Sequence, residues 1–291
     1  MQEIRAINKR TFKNRMSEYR KNPKSFILFL LVILAAVITA AVLIFIIGYV
    51  LVQGIPHLKP SLFEWTYNSE NVSLLPSLIT TIEMTILSLV IAVPLGVCTA
   101  IYLVEYAKRG NKVVGLIRIM AETLSGIPSI VYGLFGLLLF VTQMGLGFSL
   151  IAGALTLAIM ILPLIIRTTE EALIAVPDMY REASFGLGAG RLRTIIRVVL
   201  PASMPGILAG VILGVGRIVG ETAALIYTAG TATDLPDNVL SSGRTLAIHM
   251  YSLASEGLYT DEAYATAVVL LVVVALINAG SAAIAKRLAS K

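Results

Sequence analysis

The chain has 291 residues, 57% of them apolar and 14% charged, with a net charge of +6 and a mean hydropathy of +0.87. Soluble domains carry about 25% charged residues, so this balance excludes an ordinary soluble fold. The single cysteine, Cys98, excludes a disulfide framework or a multi-thiolate metal site within the chain, and His57 and His249 lie too far apart in sequence to argue for a zinc site.

Residues 1–24 carry eight Lys/Arg against Glu3 and Glu18. This reads as a basic cytoplasmic tail; no folded reader lies beside it to make a DNA-binding arm, and it is too long and charged for a cleaved signal peptide. Apolar runs of about 20 residues are membrane-span candidates, and six follow. The first covers residues 26–52, and a loop with interfacial aromatics Trp65 and Tyr67 comes next. The second covers 75–102 and carries Thr81, Thr85 and Ser88 at helical spacing, a stripe that could line a cavity but reads more readily as hydrogen bonding to neighbouring helices. The third, 119–141, contains Glu122 near its inner end, with no obvious partner, and Pro128, which predicts a kink or break. The fourth covers 149–166 and the fifth 202–229. A polar, acidic loop then leads to the sixth, 263–285. The domain reading is a tail at 1–24 and one six-helix membrane domain at 25–291.

Six spans place both termini on one side. The tail, the 103–118 loop, the 175–201 loop and the C-terminal end hold nineteen of the 23 Lys/Arg, whereas the opposite loops hold Lys59 and Arg244. By the positive-inside rule the termini and the 175–201 loop are cytoplasmic. The basic charge is thus topological, and no nucleic-acid partner is expected.

Residues 181–201, REASFGLGAGRLRTIIRVVLP, form the most polar long stretch between two apolar ones. The spacing predicts a short helix over 178–187 after Pro177, then a glycine hinge at Gly186, Gly188 and Gly190. Leu192, Ile195, Ile196, Val199 and Leu200 then share one apolar helical face, ending at Pro201.

Arg217 stands near the middle of the fifth span, where a charge costs at least roughly 2.5–3.5 kcal/mol and so faces protein or water. Glu221, four residues on, is placed to pair with it. One reading is an Arg–Glu pair that locks packing; the other is a guanidinium fork offered to an anion in a water-filled path, with Glu221 balancing it when empty. Gly216 and Gly220 supply small-residue spacing beside it. Arg167, at the inner end of the fourth span, reads either as a snorkelling arginine or as a second anion contact, and Glu170 or Glu171 could pair with it.

The chain contains no G-x-x-x-x-G-K-[ST], no H-E-x-x-H and no G-x-S-x-G. Uphill transport would therefore draw on a partner or an ion gradient. No catalytic residue and no metal ligand is assigned.

Glu182-Ala183-Ser184, Gly188 and Val198-Val199-Leu200-Pro201 resemble the cytoplasmic "EAA" loop of bacterial ABC-importer permeases, with Ser and Val as small departures. SGIPSIVYGLFG, GRIVGETAALIYTAG and SSGRTLAIHMYSLASEG resemble the phosphate-importer permeases of the PstA type. The resemblance covers about residues 75–290. It implies an all-α membrane fold of type I, MetI-like architecture in the bacterial cytoplasmic membrane. It also implies coupling to ATPases through Glu182, Ala183, Gly188, Leu200 and Pro201, and a substrate path at Arg217, Glu221 and Arg167. The implied partners are a homologous PstC-like permease, two PstB-like ATPase subunits and an external PstS-like phosphate-binding protein. ATP and Mg would be bound by the ATPases, leaving this chain without a cofactor. Alternatives are a permease for sulfate or molybdate, and a self-contained secondary transporter, for which no inverted repeat or ion site is visible.

Overall fold

The computed structural model describes residues 23–108 and 110–289, so the basic tail, apart from its last two residues, lies outside the described residues. Residues 1–52 and 53–291 form two compact units. The first holds nearly all of α1 (Pro23–Gly54), in which apolar residues occupy every face. A helix apolar all round is built for lipid or for a protein interior.

The second unit contains α2 (Leu75–Ile101), α3 (Lys112–Ser125), α4 (Ser129–Gly136) and α5 (Leu150–Ile174). Then follow α6 (Asp178–Gly186), α7 (Arg191–Thr194), α8 (Leu200–Val219), α9 (Ala223–Ile226), α10 (Leu246–Glu256) and α11 (Thr260–Ala289). Wider π-type turns extend α2 through Tyr106 and α4 through Gln143, and join α7 to α8. No strand occurs among the described residues.

α5 is the centre of the unit. Leu157, Met160, Ile161, Ile165 and Leu173 are fully buried on it, and it packs against α2, α8 and α3. Its contact with α8 is antiparallel and close: Gly206, Gly210 and Gly214 face Ala172, Thr168 and Ile165. A Cβ at Gly210 would collide with the Thr168 side chain, so glycine there sets the helix separation. This seam, rather than the predicted Gly216 and Gly220, provides the close approach; a Cβ at Gly216 would meet open space.

Among the described residues, five helices are long and apolar enough to cross a membrane, and α3 with the extended α4 makes a sixth candidate bent by 103°. The end of α2 and the end of α5 share one face, where Ala100, Leu173, Val176 and Val199 form a buried cluster. α5 starts at the opposite face, where the Leu150 and Ile151 N–H groups donate to Ser241 O and Val239 O at 3.0 and 2.9 Å. The chain must change faces between α2 and α5, so the bent pair is one crossing. The break falls at the predicted Pro128, and the Tyr132 hydroxyl pins it by donating to Leu124 O at 2.7 Å.

Three expectations fail in and just before the fifth span. Pro201 does not end a helix: the segment Arg191–Val219 runs on as one membrane-length helix. Pro201 sits at the first positions of α8, where a missing N–H costs little. Leu192 and Ile196 are exposed while Ile195 and Val199 are buried, so the proposed apolar face is split. At the other end, α8 stops at Val219 instead of reaching 229, and a turn through Gly220 leads to the short α9. The Thr81, Thr85 and Ser88 hydroxyls of α2 each donate to the carbonyl four residues back in their own helix.

Candidate functional site

The α5–α8 register fixes the depth of Arg217. Continuing past Gly214, it brings Arg217 level with about Ile161, near the midpoint of α5. Arg217 is therefore deep in the membrane although it occupies the last turn of its own helix. Helical side chains lean toward the helix N-terminus, which here is the face that carries α6. On that side lies a cavity of about 640 Å³ whose lining includes Arg118, Glu122, Pro163, Arg167 and Arg217. Arg217 and Arg167 thus open on one space.

The cavity also meets Glu170 and Glu171, and its charges sort into pairs. Arg118 is ion-paired to Glu170, and Arg167 Nε donates to Glu171 Oε1 at 3.0 Å. The Arg167 pair is exposed on both sides, an arrangement worth about 0–1 kcal/mol and easily exchanged for another anion. Arg217 has no carboxylate within 4.0 Å among the described residues. Tyr132, beside the α3–α4 break, lies within its electrostatic reach.

Glu221 does not pair with Arg217. The helix ends at Val219, so the four-residue spacing no longer places the two side chains on one face. Glu221 is buried instead, and its Oε1 accepts the N–H of Ala224 at 3.0 Å, holding the start of α9. α9 in turn rests on α4, where a Cβ at Gly133 would meet Ala224 Cα at 2.8 Å. Two broken spans therefore meet beside Arg217. Irregular backbone at such depth persists only against protein or an aqueous cavity.

The second part of the site is the polar loop. α6 forms as predicted, and Gly188 ends it at φ +81°, a left-handed conformation that favours glycine. The Ala189 N–H donates to Ser184 O at 3.1 Å, and the Ser184 and Thr194 hydroxyls meet at 2.8 Å, folding α6 onto α7. Glu182, Ala183 and Gly188 are exposed, as is Pro201, while Leu200 is half-buried. Met179, Tyr180, Phe185 and Leu187 are exposed beside them, giving α6 an apolar surface outside the membrane spans.

The loop is anchored by a residue that carried no role in the sequence reading. Arg181 Nε and Nη2 donate to Glu105 Oε1 at 3.0 and 2.8 Å, Nη2 also to Leu173 O at 2.9 Å, and Nη1 to Val176 O at 2.8 Å. Arg191 lies over the Tyr106 ring, 5.2 Å from its centroid. Every anchor leads to the end of α2 or of α5.

The family described as the inner membrane component of binding-protein-dependent transport systems matches residues 92–291. The chain belongs to that family. It is accordingly a multi-pass inner-membrane permease, a transport component rather than an enzyme, and it works within an ABC transport assembly. It is 34% identical over 246 residues to a probable ABC transporter permease, YqgI, of Bacillus subtilis, covering 78% of this chain and 82% of that one. It is 32% identical to the phosphate transport system permease PstA of Mycobacterium leprae, covering 68% of this chain and 66% of that one. The PstA of Xylella fastidiosa strain 9a5c is 34% identical, covering 68% and 69%. Among solved structures, a chain of a bacterial alginate ABC transporter superposes with a TM-score of 0.64 over 93% of this chain and 98% of its own, at 14% identity. A chain of the inward-facing MetNI methionine ABC transporter superposes with a TM-score of 0.57, covering 74% and 94%, at 21% identity. Both share the all-helical permease fold.

Proposed function

We propose that this permease passes inorganic phosphate inward as one subunit of an ATP-driven importer. The observation that carries the reading is Arg217: a cation at mid-membrane depth, without a carboxylate partner among the described residues, opening on the same cavity as Arg167. A guanidinium presents donors in a fork that suits a tetrahedral oxyanion. Relatives named as phosphate permeases support phosphate as that oxyanion. The termini and α6 are cytoplasmic, where most Lys/Arg lie. The exposed apolar surface of α6 docks a PstB-like ATPase that binds the ATP and Mg, and this chain needs no cofactor of its own. A homologous PstC-like permease closes the cavity from the other side, and a PstS-like protein delivers phosphate outside.

Motion of α6 reaches the cavity through two rigid links. Arg181 ties it to α2 and α5, and the continuous Arg191–Val219 helix leads from α7 to Arg217. Reconstituting the complete transporter with its ATPase and binding proteins tests the reading. Phosphate should stimulate ATP hydrolysis far more than sulfate or molybdate; stimulation by sulfate or molybdate alone would transfer the site to that anion.

A further inference from the structure

A second cavity, of about 790 Å³, lies between the end of α2, the start of α3 and one side of α6. It shares Arg118 and Ile174 with the Arg217 cavity and otherwise has a lining of its own. The charge balance makes this face cytoplasmic. The membrane-length helix that contains α2 ends at Tyr106, and the bent α3–α4 crossing begins at Lys112. The cavity therefore sits where the spans meet the inner headgroup layer. Tyr102 and Tyr106 are exposed at the end of the first of these spans, as aromatic side chains are at a membrane surface.

The charge of this lining is lopsided. Lys108, Lys112 and Arg191 belong to it, are exposed, and have no carboxylate within 4.0 Å among the described residues. A tight turn carries the two lysines: the Asn111 N–H donates to Lys108 O at 3.1 Å, and Asn111 Oδ1 caps α3 by accepting the Val113 N–H at 3.0 Å. The acidic lining residues, Glu105 and Asp178, are both already bound by Arg181. Arg118 is paired outside the lining, to Glu170. An anionic group that enters thus meets three unpaired cations and no carboxylate that lacks a cation of its own.

Apolar surface runs beside these cations. Val113, Leu116 and Met120 recur at helical spacing on α3 and are each more than half exposed, at 57%, 56% and 54%. They form one strip that leads from the lysine turn into the α3–α4 crossing. A ligand with a phosphate at one end and hydrocarbon at the other matches both parts, whereas a small water-soluble anion leaves the strip bare. Basic pockets between membrane helices on the cytoplasmic side are suited to such headgroups. Asp178, Arg181 and Phe185 make the side of α6 that lines the cavity; Met179 and Tyr180 lie outside it and stay available to the ATPase.

We propose that Lys108, Lys112 and Arg191 bind the phosphate headgroup of an anionic phospholipid of the inner leaflet, whose chains lie along Val113, Leu116 and Met120. The bound lipid sits at the joint where Arg181 fastens α6 to the end of α2. The assignment does not depend on which anion passes Arg217. The test titrates fluorescent phosphatidylglycerol into the complete transporter in neutral detergent, with phosphatidylcholine of the same chains as the zwitterionic comparison. The wild type should prefer phosphatidylglycerol about tenfold or more. Lys108→Gln with Lys112→Gln should remove most of that preference. Arg193→Gln with Arg197→Gln takes the same charge from exposed positions of the same face outside the cavity, and should keep it. Glycerol 3-phosphate at millimolar concentration should not displace the lipid. An unchanged preference in the lysine variant, or an equal loss in both double variants, would overturn the proposal. Displacement by glycerol 3-phosphate would do so too, by transferring the cavity to a soluble phosphate, as would a wild type that binds both lipids alike.

Discussion

Arg181 and Glu105, 76 residues apart in the chain, meet through two hydrogen bonds to a single carboxylate oxygen, at 2.8 and 3.0 Å. Their side chains are 14% and 8% exposed, so the pair is largely shielded from water. The polar loop is thereby fastened to the membrane helices at one charged point. Removing one partner of a buried pair costs about 3–5 kcal/mol. Arg181→Ala should lower the melting temperature of the assembled transporter. Adding Glu105→Ala should cost little more, giving a double-mutant cycle with a large coupling energy.

Gly188→Ala places a Cβ in a left-handed conformation, at a cost of about 1–2 kcal/mol, with no neighbouring atom in the way. The protein should insert normally but tilt α6. Phosphate uptake should fall while basal ATP hydrolysis continues, and Glu182→Gln should behave likewise. Unchanged uptake in both variants would remove the coupling role from this loop.

Arg217→Gln should abolish uptake in reconstituted vesicles without lowering the thermal stability, because no ion pair is broken among the described residues. Arg167→Gln loses only an exposed pair and should reduce uptake less, by raising the phosphate concentration needed for half-maximal transport. A stable Arg217→Gln protein with normal transport would leave the cavity without an anion role.

His249 supplies a pH signature. Its pKa falls from 6.5 in the unfolded chain to about 3 in the folded one. Between those values the unfolded state binds more protons, so stability is full above about pH 6.5 and declines as pH drops toward 3. The slope approaches about 1.4 kcal/mol per pH unit. Melting curves between pH 7.5 and 4.5 should show a steeper acid loss for the wild type than for His249→Gln. Arg244 is the charged neighbour that reinforces the effect.

The five membrane-length helices among the described residues, the bent sixth candidate with its break at Pro128, and the helix before Gly188 were legible because each rests on local signals: an apolar run, a proline, a glycine. The end of α8 was not. Beyond Glu221 and Thr222 the run AALI resumes the apolar pattern of the fifth span, and apolar composition reads the same against lipid as against protein. The Arg217–Glu221 pairing failed for the same reason, since its spacing assumed a helix that had already ended. Pro201 misled because a proline tolerated in a first turn reads like a stop. Glu105 and Arg118 as loop and cavity partners needed the packing of distant segments, and Arg244 entered only as an outer-loop charge.

Because α8 ends level with the middle of α5, the Ala224 amide is held by a side chain, the Glu221 carboxylate, rather than by a helical carbonyl. Its proton is protected only while that carboxylate keeps its place and the surrounding backbone stays dry. Deuterium uptake at this one amide would therefore time the arrival of solvent at the bilayer centre during the transport cycle, independently of any label on the substrate.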